Sequence, residues 1–347
     1  MRSATQPHYS GRFRVRVSAI CALAVIGVLG STPPPASASD PDPATCSAQS
    51  FPVPAGRMGG TLCVPNGGAD TVMLLVPGIS IDQSYWDFPY VPERYSFRRA
   101  MNTAGIATLT VDLLGTGTST RPPSSEVTSL GQAHGLHDII SLLRTGAAPA
   151  APFARVILAG VSLGAGIAVW EATTYHDVDA VLLAGFSHLL EPSGLLPIAG
   201  TFVPAATDSR FTDRGYDAGY WTTAPGTRAQ SFLGPSTEPQ VSRLAEEHTE
   251  VFTLAEMLDG LPTTVTNVTN QIAVPVLVAN GQRDRLCAPQ VCADAPALRV
   301  AEEPYFAAGL LTTYVLDNAG HATTLAPNTG EFQTAVVGWA AAVRAGA

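Results

Sequence analysis

Short, almost continuous apolar runs alternate with helix-compatible stretches along most of this chain. Thr71 to Val76, Ile106 to Val111, Val156 to Ala159, Asp179 to Ala184, Val274 to Ala279 and Thr312 to Leu316 each read as a buried strand. Thr61 to Val64 predicts a further strand, ended by the turn Pro65-Asn66-Gly67-Gly68. Arg94 to Thr103 and Ser129 to Arg144 predict helices, Leu163 to Trp170 is Ala-rich and helix-compatible, and a closing helix is expected from about Asn328 to Arg344. Strands apolar on both faces and separated by helices predict an α/β fold, with a mostly parallel central sheet and helices on both faces.

The alternation stops between Phe186 and Val274. A stretch of that length is too long for a simple connection, so an inserted cap is expected over about residues 189–272, between the sixth and seventh sheet strands. Gly194 to Pro204 is apolar and broken by prolines. Gln240 to Leu258 sets Val241, Leu244, His248, Phe252, Ala255 and Leu258 at near-helical spacing, which predicts a helix stopped by Gly260 with His248 packed on its stripe. Asp40 to Pro54 reads as an extended lead-in tied down by Cys46. Tyr85, Trp86, Phe88 and Tyr90 read as core and rim packing.

The N-terminus changes the compartment. Arg2, Arg12, Arg14 and Arg16 precede the apolar run Val17 to Gly30 and the small-residue pattern Ala36-Ser37-Ala38, the order of a secretory signal. Cleavage is expected after Ala38, leaving residues 39–347 as one secreted catalytic domain with no stable membrane anchor. The leader holds four of the nineteen arginines and none of the twenty-eight acids, so 15 basic against 28 acidic residues leave a mature charge of −13. That charge offers no footprint for nucleic acid. No lysine occurs, which excludes Schiff-base and lysine-base mechanisms.

Four cysteines remain in the mature chain, and an even count in an exported protein favours two disulfides. Of three possible pairings, Cys46 with Cys63 and Cys287 with Cys292 are favoured. No metal is expected: the cysteines lack zinc-site partners, and His134 and His137 share a helix face without an acid between them, as surface residues would. The glycine-rich stretch Asp112 to Ser119 lacks the lysine of a phosphate-binding loop, so neither nucleotide nor other cofactor is expected. Nothing in the sequence fixes the oligomeric state.

The candidate chemistry lies at strand ends. Gly160-Val161-Ser162-Leu163-Gly164 fits Gly-x-Ser-x-Gly, where a strand turns sharply into a helix and holds the serine hydroxyl out. Asp284 and His321 each follow a later strand at the same edge, giving the order Ser162, Asp284, His321. A serine hydroxyl is a poor nucleophile, so His321 would take its proton while Asp284 fixes the imidazole tautomer. Pro77-Gly78-Ile79-Ser80 ends another strand, and the amides of Ile79 and Leu163 would form an oxyanion hole.

With these residues the chain resembles the α/β-hydrolase superfamily. The resemblance rests on Val76-Pro77-Gly78, where many members carry His-Gly; on Asp112-x-x-Gly115-x-Gly117-x-Ser119; on Gly160 to Gly164; on Gly281 to Asp284; and on Gly320-His321. It implies a secreted serine esterase or lipase-like enzyme cleaving carboxylic esters, or lactones, of moderately lipophilic small molecules through an acyl-enzyme. A serine nucleophile argues against the epoxide-hydrolase and dehalogenase branches, and Leu163 after it leans away from prolyl aminopeptidases. An acyltransferase or thioesterase would use the same intermediate; a peptidase or a non-catalytic secreted binder are the other readings.

Overall fold

In the computed structural model, which describes residues 41–146 and 152–346, the apolar runs become neighbouring strands of one sheet. The expected leader lies outside the described residues. The strands are β1 (Ala44–Val53), β2 (Gly56–Pro65), β3 (Thr71–Val76), β4 (Ala107–Val111), β5 (Arg155–Val161), β6 (Ala180–Ala184), β7 (Phe202–Pro204), β8 (Tyr220–Thr223), β9 (Phe252–Thr253), β10 (Val276–Gly281) and β11 (Leu311–Leu316). Eight form the main sheet in the order β1-β2-β4-β3-β5-β6-β10-β11. β1 and β2 run antiparallel to each other, as do β2 and β4, and every later pairing is parallel.

Side chains of the central strands point alternately to two buried faces. Leu74, Leu158 and Val278 pack with Leu136, Ile140 and Ile167, from the helices Ser129–Thr145 and Leu163–Tyr175. Met73, Leu75, Ile157 and Leu277 face Phe97, Phe332 and Val336, from the helices Phe97–Thr103 and Thr329–Ala345. Both faces are therefore covered, which is why these strands read as unbroken apolar runs.

The expected lead-in is instead the edge strand β1. Its residues are mostly exposed, so it carries no apolar signature, and its register opposes Cys46 to Cys63. The disulfides join Cys46 to Cys63 and Cys287 to Cys292.

Between β6 and β10 the chain leaves the sheet, and β7, β8 and β9 form a small antiparallel sheet of their own. The single helix expected over Gln240 to Leu258 is two: Pro239–Glu247 and Leu254–Gly260, with β9 between them. Thr253 causes the break. Its hydroxyl accepts from the Glu256 amide at 3.0 Å, while the Glu256 carboxylate accepts from the Thr253 amide at 2.8 Å, so a new helix is capped where the old one was expected to continue. No helix among the described residues is long and apolar enough to cross a membrane.

Candidate active site

Parallel strands deliver their C-terminal ends to one edge of the sheet, and the predicted site residues meet there. Ser162 lies between β5 and the helix Leu163–Tyr175 with φ 56° and ψ −122°, a backbone conformation rarely adopted by a residue with a side chain. Its amide donates to the Ala184 carbonyl of β6 at 2.9 Å. The turn is so tight that a Cβ on Gly164 would stand 2.2 Å from the Pro77 carbonyl oxygen, which explains that glycine.

His321 Nδ1 lies 2.8 Å from Asp284 Oδ2, and both side chains are almost wholly buried. The other Asp284 oxygen accepts from the Leu286 amide at 2.8 Å. A ring nitrogen facing a carboxylate carries the proton, which leaves Nε2 as the basic lone pair. Nε2 is buried without a hydrogen-bond partner among the described residues. It opens on the same pocket as Ser162, and no hydrogen bond yet joins the two side chains.

Two residues that the sequence reading missed lie at this edge, one of them against the imidazole. Gly185, at φ 57°, comes so close that a Cβ there would be 2.8 Å from His321 Cε1. Asn280 clamps the ends of β6 and β10 by pairing its side-chain amide with both the N–H and the C=O of Phe186, each at 2.9 Å. A Gly or Asn after an apolar run gives no local signal of such a role.

The Pro77–Ser80 loop passes beside the serine, with Gly78 close to Ser162 Cβ. Ser80 is buried at φ 53°. Its carbonyl accepts from the Glu250 amide at 3.0 Å and from Arg228 Nη1 at 3.1 Å, and its hydroxyl lies 2.8 Å from the same Nη1. Both partners come from the segment between β6 and β10. Leu163 opens its helix, where the amides have no intrahelical acceptor.

Ser162 stands between two largely apolar chambers. One, of about 560 Å³, is walled by Ile81, Tyr85, Phe88 and Leu325, with Arg228 and His248 also on its lining. The other, of about 940 Å³, is walled by Leu190, Ile198, Phe202, Met257 and Leu261. Ile79, Ser162 and Phe232 border both. Tyr85 and Phe88 of the aromatic cluster are thus core residues that also face the site, and His248 is half-buried at its wall.

His134 is exposed, as expected. His137 is half-buried instead, pairing with Asp177 at 2.6 Å and stacking on Tyr175. Glu171 lies next to them, its ligand atom within 4.8 Å of theirs, and its buried carboxyl has no hydrogen-bond partner among the described residues. Burial first, and then Asp177, push the Glu171 pKa up to about 10, so the group is protonated at neutral pH. None of the three lines either chamber.

The alpha/beta hydrolase family model matches residues 73–330. Among solved structures, a thermophilic esterase from Thermogutta terrifontis, with malate bound, is similar at 17% identity and a TM-score of 0.59, over 86% of this chain and 99% of that one. The carboxylesterase CesB from Bacillus subtilis is similar at 17% identity and a TM-score of 0.60, over 85% and 92%. No curated protein matches the sequence. At such identities the structures speak for the fold alone, but the family model runs from inside β3 to beyond His321, across the strand ends that carry Ser162, Asp284 and His321, and the chain therefore belongs to the alpha/beta hydrolase family.

Proposed function

We propose that this protein is a secreted serine hydrolase that cleaves carboxylic esters, lactones among them, through an acyl-enzyme on Ser162. The observation that carries the reading is a serine at a strained strand–helix turn opening on the same apolar pocket as a histidine whose far nitrogen is bound to a buried aspartate at 2.8 Å. Similar folds described as esterases support it.

Ser162 Oγ attacks the ester carbonyl carbon and its proton passes to His321 Nε2. Asp284 holds the imidazole and stabilises the cation that forms. The oxygen that becomes negative is bound by the amides of Ile79 and Leu163, each such donor contributing about 3 kcal/mol in the transition state. Collapse expels the alcohol, which takes the proton from His321. Water then attacks the acyl-enzyme by the same relay and releases the acid. The excursion over about residues 189–272 acts as a cap, and its apolar walls suit moderately lipophilic groups.

A fluorophosphonate probe should label folded protein on Ser162, read by peptide mass, and Ser162→Ala should abolish both labelling and turnover of p-nitrophenyl esters. Folded protein that takes no label and hydrolyses no ester in a graded panel would overturn the reading. Acyl transfer to added alcohol to the near exclusion of water would recast the enzyme as an acyltransferase. Export is tested by whether the mature protein begins at Ser39.

A further inference from the structure

Two arginines expose almost equally little surface, Arg228 lying the deeper, and they are treated in opposite ways. Arg98, 7% exposed, holds Asp42 through Nη1 at 2.7 Å and Asp87 through Nη2 at 2.9 Å, and these carboxylates raise its pKa. Arg228, 6% exposed, has no carboxylate within salt-bridge distance among the described residues. Its Nη1 is used by Ser80 and, at 3.4 Å, by the Thr223 hydroxyl; its Nε is buried with no partner. Two acids act on it only from a distance: Glu246 is occupied by Arg210 at 3.3 Å and the Gly226 amide at 2.9 Å and meets only the backbone N–H of Arg228, at 3.4 Å, and Asp82 accepts from the Ser84 amide at 2.9 Å. Desolvation accordingly pushes the Arg228 pKa down to about 10, which still leaves it charged at neutral pH.

A buried cation without a counter-ion is costly, and the contacts to Ser80 do not require one, because a neutral amide could donate to the same two oxygens. The residue that carries the charge borders the pocket. Arg228 lines the 560 Å³ chamber together with Ser162 and His321, and its guanidinium is steadied over the Phe232 ring, 5.3 Å from the centroid. A planar guanidinium with free donors suits a carboxylate, which it can bind through two parallel hydrogen bonds. We infer that Arg228 anchors an anion subsite, and that the preferred ester carries a free carboxylate on its acyl or its alcohol part; this rests on the esterase reading above. Bound, that carboxylate supplies the missing counter-ion and draws the ester bond toward Ser162.

Matched esters test this. On the acyl side, p-nitrophenyl monoesters of succinate, glutarate and adipate are compared with the same compounds methylated on the free carboxyl. On the alcohol side, the butyrate of 4-hydroxybenzoate is compared with the butyrate of its methyl ester. In at least one series the ratio of kcat/KM, free acid over methylated, should fall tenfold or more in Arg228→Gln, with part of the ratio kept in Arg228→Lys. Which series responds tells which part of the ester carries the anion. Ratios equal in wild type and both variants would overturn the subsite and leave Arg228 as a support for Ser80. Should Arg228→Gln not fold, glutarate binding to wild type and to Arg228→Lys by calorimetry replaces it, with weaker binding expected in the lysine variant and no binding to wild type overturning the inference. That binding measurement is independent of turnover, so a protein that binds glutarate but hydrolyses nothing refutes the esterase reading and not the subsite.

Discussion

At Ser162 the backbone conformation would serve the proposed chemistry directly, because φ 56° lifts the hydroxyl out of the strand–helix turn. Replacing Asp284 by Asn removes the anion that selects the His321 tautomer, and kcat is expected to fall about 10³ to 10⁴-fold with an unchanged circular dichroism spectrum. Gly185→Ala would push a methyl into Cε1 of His321; a tenfold or greater loss in kcat with KM little changed is expected, and equal loss in both would point to a wider disturbance. That Ser162, Asp284 and His321 come together at one sheet edge was legible, because each carries a local signature after an apolar run. Arg228 was not. Its partner Ser80 is 148 residues away in sequence, and nothing around Thr227-Arg228-Ala229 distinguishes it from a surface arginine until the fold buries it. Glu171 was equally silent. Its carboxyl ionises at an ordinary 4.5 when unfolded but only near about 10 when folded, so its contribution to stability is complete below pH 4.5 and is lost as pH rises toward 10. Thermal melts should therefore find Glu171→Gln no more stable than wild type at pH 4, with a relative gain that grows up to pH 9.

Among the strands, those buried on two faces were the most readable, and of the two edge strands β11 was read while the more exposed β1 was not. β3, β4, β6 and β10 match their apolar runs within about two residues, because a strand covered on both sides has no polar positions to blur it. β1 was missed because an exposed edge strand keeps its identity in hydrogen bonds rather than in side chains. The break at Thr253 was missed because apolar spacing continued through a capping box. The disulfides divide along similar lines. Cys287–Cys292 closes the turn just after Asp284, where the Cys287 amide donates to the Asp284 carbonyl at 3.3 Å, whereas Cys46–Cys63 staples the outer hairpin. Replacing Cys287 and Cys292 by Ser should lower kcat or the melting temperature, while replacing Cys46 and Cys63 should lower melting alone. Unchanged behaviour of the first variant would remove the brace from the account of Asp284.

On the scale of the whole molecule, the proposed cap is joined to the sheet layer from several directions. Tyr216 donates its hydroxyl proton to the Gly115 carbonyl at 2.8 Å, Tyr220 to Pro122 at 2.7 Å, and Thr253 to Val127 at 2.7 Å. In return the Trp170 indole N–H and the Ser129 hydroxyl donate to the carbonyls of Asp259 and Glu256, each at 2.8 Å. Arg228 and the Glu250 amide hold Ser80 from the far side. The lost alternation of apolar runs marked this stretch and left its attachments unread, since each depends on a residue more than eighty positions away. A roof fastened at so many points cannot swing off as one piece without breaking a whole set of buried hydrogen bonds together, at a cost that adsorption to an oil droplet would have to repay. Rates should therefore follow the concentration of dissolved ester smoothly, with no jump where the substrate passes its solubility limit and forms an emulsion.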